Sequence, residues 1–249
     1  MKLNQKNIEK NIKKPVTVRL YDSIDSTNNE AKRRADIDKG VHLYAAGRQT
    51  AGRGRHGNRF YSPKDTGLYM TLSLPLDDSR TQVQQITCAA AVAVCEAINE
   101  LSDLHPQIKW VNDIFVGGKK AGGILTELIS DDQNRPTAVI IGIGLNLNTE
   151  DFPAEIADKA GNLGSIDIDL LCAAIVNNLI TEQDNLSNNS IIEKYKSLNL
   201  CIGRDVRFTK DGAEHTAKAV DVNADGGLVV KENGEFTVLN SGEISVLPQ

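Results

Sequence analysis

Residues 47–64 limit the possible folds of this chain more than any other stretch, because they fit neither a helix nor a strand. The stretch contains four glycines and Pro63 and shows no apolar periodicity, which favours a long loop. It also holds four arginines and one lysine and no acid, although the whole chain carries a net charge of −5. Two interpretations follow: a solvated surface loop with a chance run of charge, or an anion-binding site.

The centre of this loop, Gly52-Arg-Gly-Arg-His-Gly57, matches the dinucleotide-binding pattern G-x-G-x-x-G. That pattern requires a helix to begin at the last glycine, whereas residues 58–63 end in proline and do not begin one. Alternating glycine and arginine suit a different task. Glycines let the backbone approach a ligand closely, and arginine forks match carboxylate and phosphate oxygens. Such a loop suits a site that must hold a carboxylate against a triphosphate.

Hydrophobic patterning predicts an α/β domain over residues 16–200. Strands are predicted at 16–21, 41–49, 68–74, 108–111, 114–116, 122–129 and 138–147, with a hairpin turn at Gly117-Gly118. Helices are predicted from Ser26 or Thr27, with Thr27 and Glu30 as a capping box, and at 82–101, 155–159, 169–183 and 190–198. Residues 1–15 are expected to be a polar extension, either frayed or a short helix.

The pattern changes after Leu200, which we take as the domain boundary. Five short strands are predicted at 206–208, 216–222, 228–231, 236–239 and 244–246. Asp225-Gly226 and Asn233-Gly234 are strong signals for tight turns between them. Short, evenly spaced strands of this kind predict a small β-barrel over residues 201–249.

Composition excludes several classes of protein. Apolar residues make up 40% of the chain and charged residues 24%, as in ordinary globular domains, and no apolar run is long enough to span a membrane. The lysine-rich start does not resemble a secretory signal. Four cysteines without a Cys-x-x-Cys pair favour buried thiols in a reducing cytoplasm over a disulfide framework or a zinc site. The net negative charge argues against a general nucleic-acid coat.

Two further segments carry candidate chemistry. Lys109-Trp-Val-Asn-Asp113 faces Lys119-Lys-Ala-Gly-Gly-Ile124 across the predicted hairpin, and lysines flank both. A turn pair beside exposed lysines is the simpler interpretation of this feature alone. Residues 141–148 place two glycines inside a buried strand, which indicates close approach by a ligand or by another backbone.

These segments together resemble the biotin protein ligases. The motifs Gly52-Arg-Gly-Arg-His-Gly57, Phe60-Tyr-Ser-Pro63, Lys109-Trp-Val-Asn-Asp113, Lys120-Ala-Gly-Gly-Ile124 and Gly142-Ile-Gly-Leu-Asn146 occur in the order and spacing of that family, and Ser26-Thr-Asn28 also fits. The resemblance implies an α/β catalytic domain on a mixed sheet over 16–200 and an SH3-like barrel over 201–249. Two positions depart from the family: His56 stands where arginine is frequent, and Val111 where proline is usual.

The resemblance also implies a reaction. The biotin carboxylate attacks the α-phosphate of ATP, giving biotinyl-AMP and pyrophosphate. A lysine of an acceptor domain, typically the biotin carboxyl carrier protein of acetyl-CoA carboxylase, then takes the biotinyl group as an amide. Mg²⁺ is expected to arrive with the ATP phosphates, since no residue cluster suggests a dedicated metal site.

Many bacterial members of the family also carry an N-terminal DNA-binding domain. The few residues before Val16 lead us to expect the short, monofunctional form, a cytoplasmic monomer or weak homodimer that binds neither DNA nor membranes.

Residue roles follow from the resemblance, motif by motif. It implies catalytic roles for Arg53, Arg55, Lys109, Asp113 and Lys120. It implies biotin contacts for Ser26, Thr27, Asn28, Gln49, Gly52, Arg53, Gly54, Arg55, Lys120, Gly142 and Gly144. It implies nucleotide contacts for Arg55, Phe60, Lys109, Asn112, Lys120 and Asn146, and no metal ligand. Residues 26–28 are expected to bind the ureido ring, Lys120 the biotin carboxylate and reacting phosphate, and Asp113 the proton of the incoming lysine.

Two other functions stay open at this point. Ligation of another acid, such as lipoate or octanoate, is disfavoured by the arginine loop, for which the lipoate ligases are not known. A non-catalytic biotin sensor or DNA-binding regulator is disfavoured by the retention of Lys109, Asp113 and Lys120 and by the net charge.

Overall fold

A computed structural model of the chain describes residues 2–35, 37–76, 83–184, 190–240, 242 and 244–246. Its larger sheet has seven strands: β1 (Thr17–Tyr21), β2 (His42–Ala46), β3 (Gly67–Pro75), β4 (Gln107–Lys109), β5 (Asp113–Val116), β6 (Lys119–Ser130) and β7 (Pro136–Asn146). The strand order is β1-β2-β3-β7-β6-β5-β4. Only the β1–β2 pair is parallel among these pairings, so the sheet is mixed, as predicted.

Six helices surround this sheet in the described ranges: α1 (Gln5–Asn11), α2 (Thr27–Arg34), α3 (Val83–Leu101), α4 (Ala154–Ala157), α5 (Ile168–Asp184) and α6 (Ser190–Leu198). The predicted helices at 82–101, 169–183 and 190–198 are confirmed within the described residues. Gln82, the predicted first residue of the helix at 82–101, lies outside the described residues. The short helix predicted at 155–159 is α4.

The two faces of the large sheet have different surroundings. Alternate strand residues such as Leu43, Met70 and Ile141 belong to the main core, to which α3 and α5 contribute. The intervening residues face the other way, where Ala31 of α2 packs with Tyr44 and Ile140 in a small separate cluster. Side chains alternate between the faces of a strand, so one face can be apolar while the other is left for a site.

The N-cap of helix α2 lies one residue before Thr27, the N-cap that the predicted capping box requires. Ser26 is the N-cap, and its side-chain oxygen accepts from the backbone N–H of Asn29. The capping box of Thr27 and Glu30 is therefore wrong. Thr27 is the first helical residue, and Glu30 instead accepts hydrogen bonds from Arg33 and from the hydroxyl of Tyr21.

The C-terminal domain is an antiparallel sheet of five strands: β8 (Asp205–Lys210), β9 (Ala213–Val222), β10 (Leu228–Glu232), β11 (Glu235–Leu239) and β12 (Ile244–Val246). All five predicted strands are present, and the turn glycines Gly226 and Gly234 have φ of 85° and 91°. The strand order is β11-β10-β9-β8-β12. Within the described part of the chain no pairing joins β11 to β12, so the sheet is open where a closed barrel was expected.

Hydrogen bonds from Trp110 and Gln84 hold the two domains together. The indole N–H of Trp110 and the side-chain amide of Gln84 both donate to the carbonyl of Gly226, at 2.9 and 2.8 Å. The backbone N–H of Trp110 also lies 3.4 Å from Cys201 Sγ. Trp110 lies two residues before Asn112 of the predicted Asn112-Asp113 turn, so these contacts fix that turn relative to the C-terminal sheet.

Helix α1 is part of the folded domain. Ile8 is fully buried, and the backbone N–H groups of Asn4 and Lys13 donate to Asp169 and Asn177 on α5, each at 2.8 Å. These contacts tie the segment expected to be a polar extension to the helical layer of the larger domain.

The four cysteines are free and buried, in line with the interpretation as small core residues. Burial raises the pKa of Cys95 to about 12 and that of Cys201 to about 11, so these thiols are poor nucleophiles. None of the helices in the described residues is both long and apolar enough to cross a membrane. The same residues contain no group of three or more histidine, cysteine or acidic side chains that could hold a metal ion.

Candidate active site

A cavity of about 320 Å³ lies between the large sheet, the start of α2, the glycine–arginine loop and the C-terminal sheet. Its lining includes most of the residues singled out from the sequence: Ser26, Thr27, Asn28, Gln49, Arg53, Gly54, Arg55, Phe60, Lys109, Asn112, Asp113, Lys120, Gly142 and Gly144. These residues come from five separate segments of the chain, and the fold brings them together at one place.

The cavity is strongly cationic. Among the described residues that line it are the cations Arg53, Arg55, Arg59, Lys109, Lys120 and Lys159, against one acid, Asp113. A protein with a net charge of −5 therefore surrounds this cavity with a local excess of positive charge. Such a site favours a ligand that carries several negative charges, because clustered cations repel one another until an anion binds.

Two glycines of β7 make room for side chains from other elements. A Cβ atom at Gly142 would collide with the amide of Asn28, and one at Gly144 would lie 2.5 Å from Cε1 of Phe60. The Asn28 amide and the Phe60 ring thus rest directly on the strand. We expected both glycines to leave room for a ligand, and in this structure these two side chains fill that space.

One end of the cavity is built from uncharged polar groups. The backbone N–H of Thr27 donates to Gln49 Oε1 at 2.9 Å, and Gln49 Nε2 donates to the hydroxyl of Ser62 at 3.1 Å. The hydroxyl of Thr71 on β3 lies 2.6 Å from Asn28 Oδ1 and 2.8 Å from Thr27 Oγ1. Because Thr27, Asn28 and Thr71 are buried, this network fixes the orientation of the polar groups at this end.

The glycine–arginine loop has the shape of a hairpin-like turn. The N–H of Gly54 donates to the carbonyl of Asn58 at 2.7 Å, and the N–H of Phe60 donates to that of Gly52 at 3.0 Å. A short 3₁₀ turn spans Arg55–Gly57, where His56 has a φ of 52°. His56, one of the two departures from the family pattern, thus occupies the left-handed region, where most side chains are disfavoured.

Two of the loop arginines, Arg53 and Arg55, are held by different elements. Arg53 lies 3.3 Å from the carboxylate of Glu127 on β6 and donates to Asn29 Oδ1 at 3.1 Å. Arg55 donates to Asn112 Oδ1 at 3.2 Å. The loop is therefore tied both to the polar end of the cavity and to the turn between β4 and β5.

That turn is fixed from both sides. Asn112 Nδ2 donates to the carbonyl of Ile124 at 2.8 Å, and the N–H of Ile124 donates to the carbonyl of Asn112 at 3.0 Å. The buried hydroxyl of Tyr195 on α6 donates to the carbonyl of Val111 at 3.0 Å. The peptide bond between Trp110 and Val111 is cis.

Lys120 and Asp113 form an ion pair in the cavity. Lys120 Nζ lies 2.6 Å from Asp113 Oδ1, and the lysine side chain is 40% exposed. The backbone of Lys120 is anchored separately: its N–H donates to the carbonyl of Lys159, and its carbonyl accepts from the N–H of Gly161, both at 2.8 Å. The segment around Lys159 therefore holds the start of β6, where Lys120 lies, and brings a further cation to the cavity.

Two residues with predicted roles are not among those that line the cavity. Gly52 packs against Phe60 and Ser62 at the base of the loop. Asn146 is buried at the end of β7, where its amide donates to the carbonyl of Gly161 at 3.1 Å. Asn146 thus supports the segment that anchors Lys120.

Several other residues at the cavity have no predicted role. Arg59 belongs to the cationic loop and had a charge signal, but Lys159 lies in an ordinary polar stretch. Gly242, Ile244 and Ser245 line the cavity from the C-terminal domain. No local pattern distinguishes these three, because only the packing of one domain on the other brings them to the site.

The chain is similar to known proteins over most of its length. Residues 20–146 match the family described as "Biotin/lipoate A/B protein ligase family", and residues 201–247 match "Biotin protein ligase C terminal domain". The chain is 32% identical to the bifunctional ligase/repressor BirA of Bacillus subtilis over 238 residues, which cover 91% of this chain and 73% of that protein. It is 30% identical to the biotin–[acetyl-CoA-carboxylase] ligase of Mycobacterium tuberculosis, covering 88% of this chain and 85% of the relative.

A solved structure is similar to this chain over nearly the whole length of both. A biotin protein ligase from Aquifex aeolicus in complex with biotin and ATP superposes with a TM-score of 0.80 at 26% identity. The match covers 94% of this chain and 99% of that one.

The contact between Gly144 and Phe60 leads to a stability prediction. Gly144→Ala should lower the free energy of unfolding by about 1–3 kcal/mol, because the added methyl group overpacks the ring. In a Phe60→Ala background the same substitution should cost less than about 0.5 kcal/mol. Urea unfolding of the four proteins measures this coupling. Equal costs in both backgrounds would show that Phe60 does not rest on Gly144.

Proposed function

The chain belongs to the biotin/lipoate A/B protein ligase family, and we propose that it is an ATP-dependent ligase that joins biotin to a lysine of a biotin carboxyl carrier protein. The observation that carries the proposal is the pairing of a polar, hydrogen-bonding end with a strongly cationic end in one cavity. Biotin has a ureido ring at one end and a carboxylate at the other, and ATP brings further negative charge. The cavity offers complementary groups to both substrates.

The first half-reaction is adenylation. A biotin carboxylate oxygen attacks the α-phosphorus of ATP, the bond from that phosphorus to the bridging oxygen breaks, and pyrophosphate leaves. Two anions must meet in this step, so the main task of the protein is to offset their repulsion. Lys120, Arg53 and Arg55 are proposed to hold the biotin carboxylate and the α-phosphate, and Lys109 to contact the ATP phosphates. Mg²⁺ is proposed to enter bound to those phosphates rather than to a protein site.

The second half-reaction is transfer. The amine of an acceptor lysine attacks the carbonyl carbon of biotinyl-AMP, an amide bond forms, and the bond to the AMP oxygen breaks. The amine must lose a proton, and we propose that Asp113 accepts it. Because Asp113 lies 2.6 Å from Lys120, the acceptor of the proton and the cation that holds the carboxyl group lie side by side.

The remaining contacts follow from position in the cavity. Ser26, Thr27 and Asn28 are proposed to bind the ureido ring, with Gln49 supporting them through Thr27. Gly142 and Gly144 form the floor, and Phe60 is proposed to cover the adenylate, for which its ring must move away from Gly144. Asn112 is proposed to contact the nucleotide beside Arg55, from which it accepts a hydrogen bond. We also propose that the acceptor domain belongs to acetyl-CoA carboxylase. The proposed setting is the cytoplasm, because four free thiols suit a reducing compartment.

One experiment tests the function directly. The purified protein is incubated with biotin, ATP, Mg²⁺ and a biotin carboxyl carrier domain, and the acceptor mass is then measured. Addition of one biotinyl group, dependent on ATP, is expected. Pyrophosphate exchange into ATP supported by lipoate or octanoate in place of biotin would contradict the proposal.

Arg55 should matter for the adenylate. Arg55→Ala should weaken biotinyl-AMP binding about 10- to 150-fold, because losing a hydrogen bond to a charged group costs about 1.5–3 kcal/mol. Isothermal titration with biotinyl-AMP measures the affinity. Arg135→Ala is the control, since Arg135 is an exposed arginine paired with Asp131 away from the cavity. Binding by Arg55→Ala within twofold of wild type would remove this role.

Lys120 and Asp113 should affect the two half-reactions differently. Lys120→Ala should slow adenylation severely, because a fixed cation strengthens its interaction as charge builds on the α-phosphate. Supplied with preformed biotinyl-AMP, this variant should recover part of its transfer rate. Asp113→Ala supplied with the same adenylate should still transfer slowly.

Single-turnover rates of adenylation and of transfer separate these two effects. Lys119→Ala is the matched control, because Lys119 is an exposed neighbour of Lys120 outside the cavity lining, and it should change neither rate by more than about twofold. Normal adenylation by Lys120→Ala, or normal transfer by Asp113→Ala, would refute the corresponding role.

A further inference from the structure

Glu127 on β6 contacts three residues of two other elements at the polar end of the cavity without lining it. Its carboxylate accepts from Asn28 Nδ2 at 3.0 Å and pairs with Lys32 Nζ on α2 at 2.7 Å. Arg53 of the glycine–arginine loop lies 3.3 Å from the same carboxylate. The side chain is only 19% exposed, so these contacts are partly shielded from water. A single acid on β6 thus joins the loop to two residues of α2, Asn28 and Lys32.

This contact decides which way the Asn28 amide points. Asn28 Nδ2 donates to Glu127 and to the carbonyl of Leu125, at 3.0 and 3.3 Å, while Oδ1 receives the Thr71 hydroxyl at 2.6 Å. A carboxylate can only accept hydrogen bonds, and so can the Leu125 carbonyl. A flipped amide would place its oxygen against both acceptors. Asn28 can therefore offer a ligand only an acceptor, the second lone pair of Oδ1.

The charge of Glu127 is maintained by its neighbours. Burial raises the pKa of this carboxyl group, but hydrogen bonds from Lys32 and Asn28 and the positive charges of Lys32 and Arg53 outweigh it and leave the pKa below its ordinary value. The group is ionised at neutral pH, so it has no proton to donate to Asn28. The orientation of the amide is fixed as long as that charge is present.

We propose that Glu127 is a positioning residue that makes the ring end of the cavity a hydrogen-bond acceptor, and that it thereby selects ligands whose ring carries N–H donors. This inference rests on the proposed function, because it concerns the same cavity. A ureido ring has N–H groups that an acceptor can bind. The dithiolane ring of lipoate has none, so the lone pair of Asn28 Oδ1 that Thr71 does not use would stay unpaired when lipoate binds, which is costly for a buried polar group. Glu127 contributes to this choice without touching the ligand.

Glu127→Gln should reverse the polarity with little change in shape. Lys32 and Arg53 bind the amide oxygen of the new glutamine, which turns its NH₂ group toward Asn28. Asn28 then presents Oδ1 to the glutamine and turns its own NH₂ group away from it, giving up the longer, 3.3 Å hydrogen bond to the Leu125 carbonyl, so the acceptor at the ring end is lost. We expect biotin to bind about 10- to 100-fold more weakly, as for loss of a buried hydrogen bond that leaves a polar group unpaired.

Comparing the KM for biotin with kcat and with the KM for ATP separates a positioning role of Glu127 from general damage to the fold. The KM for biotin should rise, while kcat at saturating biotin and the KM for ATP stay within about threefold of wild type. In an Asn28→Ala background, Glu127→Gln should have almost no further effect on biotin affinity, because it acts through that amide. Glu30→Gln is the matched control: Glu30 pairs with Arg33 on α2 and does not contact Asn28, so its loss should leave biotin affinity within about twofold.

A second measurement needs no ligand. The side-chain amide ¹⁵N–¹H resonances of Asn28, assigned by their absence in Asn28→Ala, report the hydrogen bonds of that NH₂ group. In the wild type they should exchange slowly with water, because both protons are bonded within the protein. In Glu127→Gln they should shift and exchange faster.

The outcomes distinguish this inference from the function on which it rests. Wild-type biotin affinity or unchanged Asn28 resonances in Glu127→Gln would overturn the inference while leaving the ligase proposal intact. A loss of kcat, ATP binding and thermal stability together would also overturn it, since that result indicates a structural role alone. If the wild-type protein neither binds nor adenylates biotin, the proposed function fails, and the Asn28 resonances still decide whether Glu127 sets the amide.

Discussion

Repulsion among like charges is the constraint on which the rest of this site depends. Six cationic side chains converge on one cavity, and the protein must hold them there before any anion binds. It does so by giving several of them a local partner: Lys120 pairs with Asp113, Arg53 with Glu127, and Arg59 donates to the carbonyl of Thr50 at 3.1 Å. The cations come from different elements, so the folding free energy of the whole domain offsets the cost of bringing them together.

The register of the large sheet turns this charge into an ordered site. Gly144 pairs with Gly123, Gly123 with Asp113, and Asp113 with Lys109, so floor, acid and cation lie in one row across β7, β6, β5 and β4. Two residues along, Thr71, Gly142 and Leu125 form the row beneath Asn28. A shift of one residue in any of these pairings would move its side chains to the core face. The hydrophobic alternation that fixes the register therefore also fixes the site.

The C-terminal sheet completes the cavity rather than standing apart from it. Trp110 is bonded to Gly226 and lies beside Cys201, and the residues that follow it form the turn with Asn112 and Asp113. The β12 end of the same sheet lines the cavity. A displacement of this domain would therefore move both a wall of the cavity and the turn that carries Asp113.

The sequence by itself determined the elements and most of the candidate site. Period-two alternation, tight-turn dipeptides and the alanine-rich run of α3 are local signals, because side-chain direction and turn geometry depend on neighbouring residues. The glycine–arginine loop and the Lys109–Asp113 segment were recognisable for the same reason. The exact cap of α2 was not recognisable from the sequence. It is Ser26, because the hydroxyl that reaches the first free N–H groups depends on where the chain enters the helix.

Only the tertiary structure decided what each candidate residue contacts. The Lys120–Asp113 pair, the Phe60 ring on Gly144 and the three partners of Glu127 join residues that are distant in sequence or lie on different strands. Glu127, Lys159 and Ile244 carry no local pattern that separates them from ordinary surface or core residues. Their distances to the site are set by sheet register, by the path of the loop and by the packing of one domain on another, which are long-range properties that no short stretch of sequence contains.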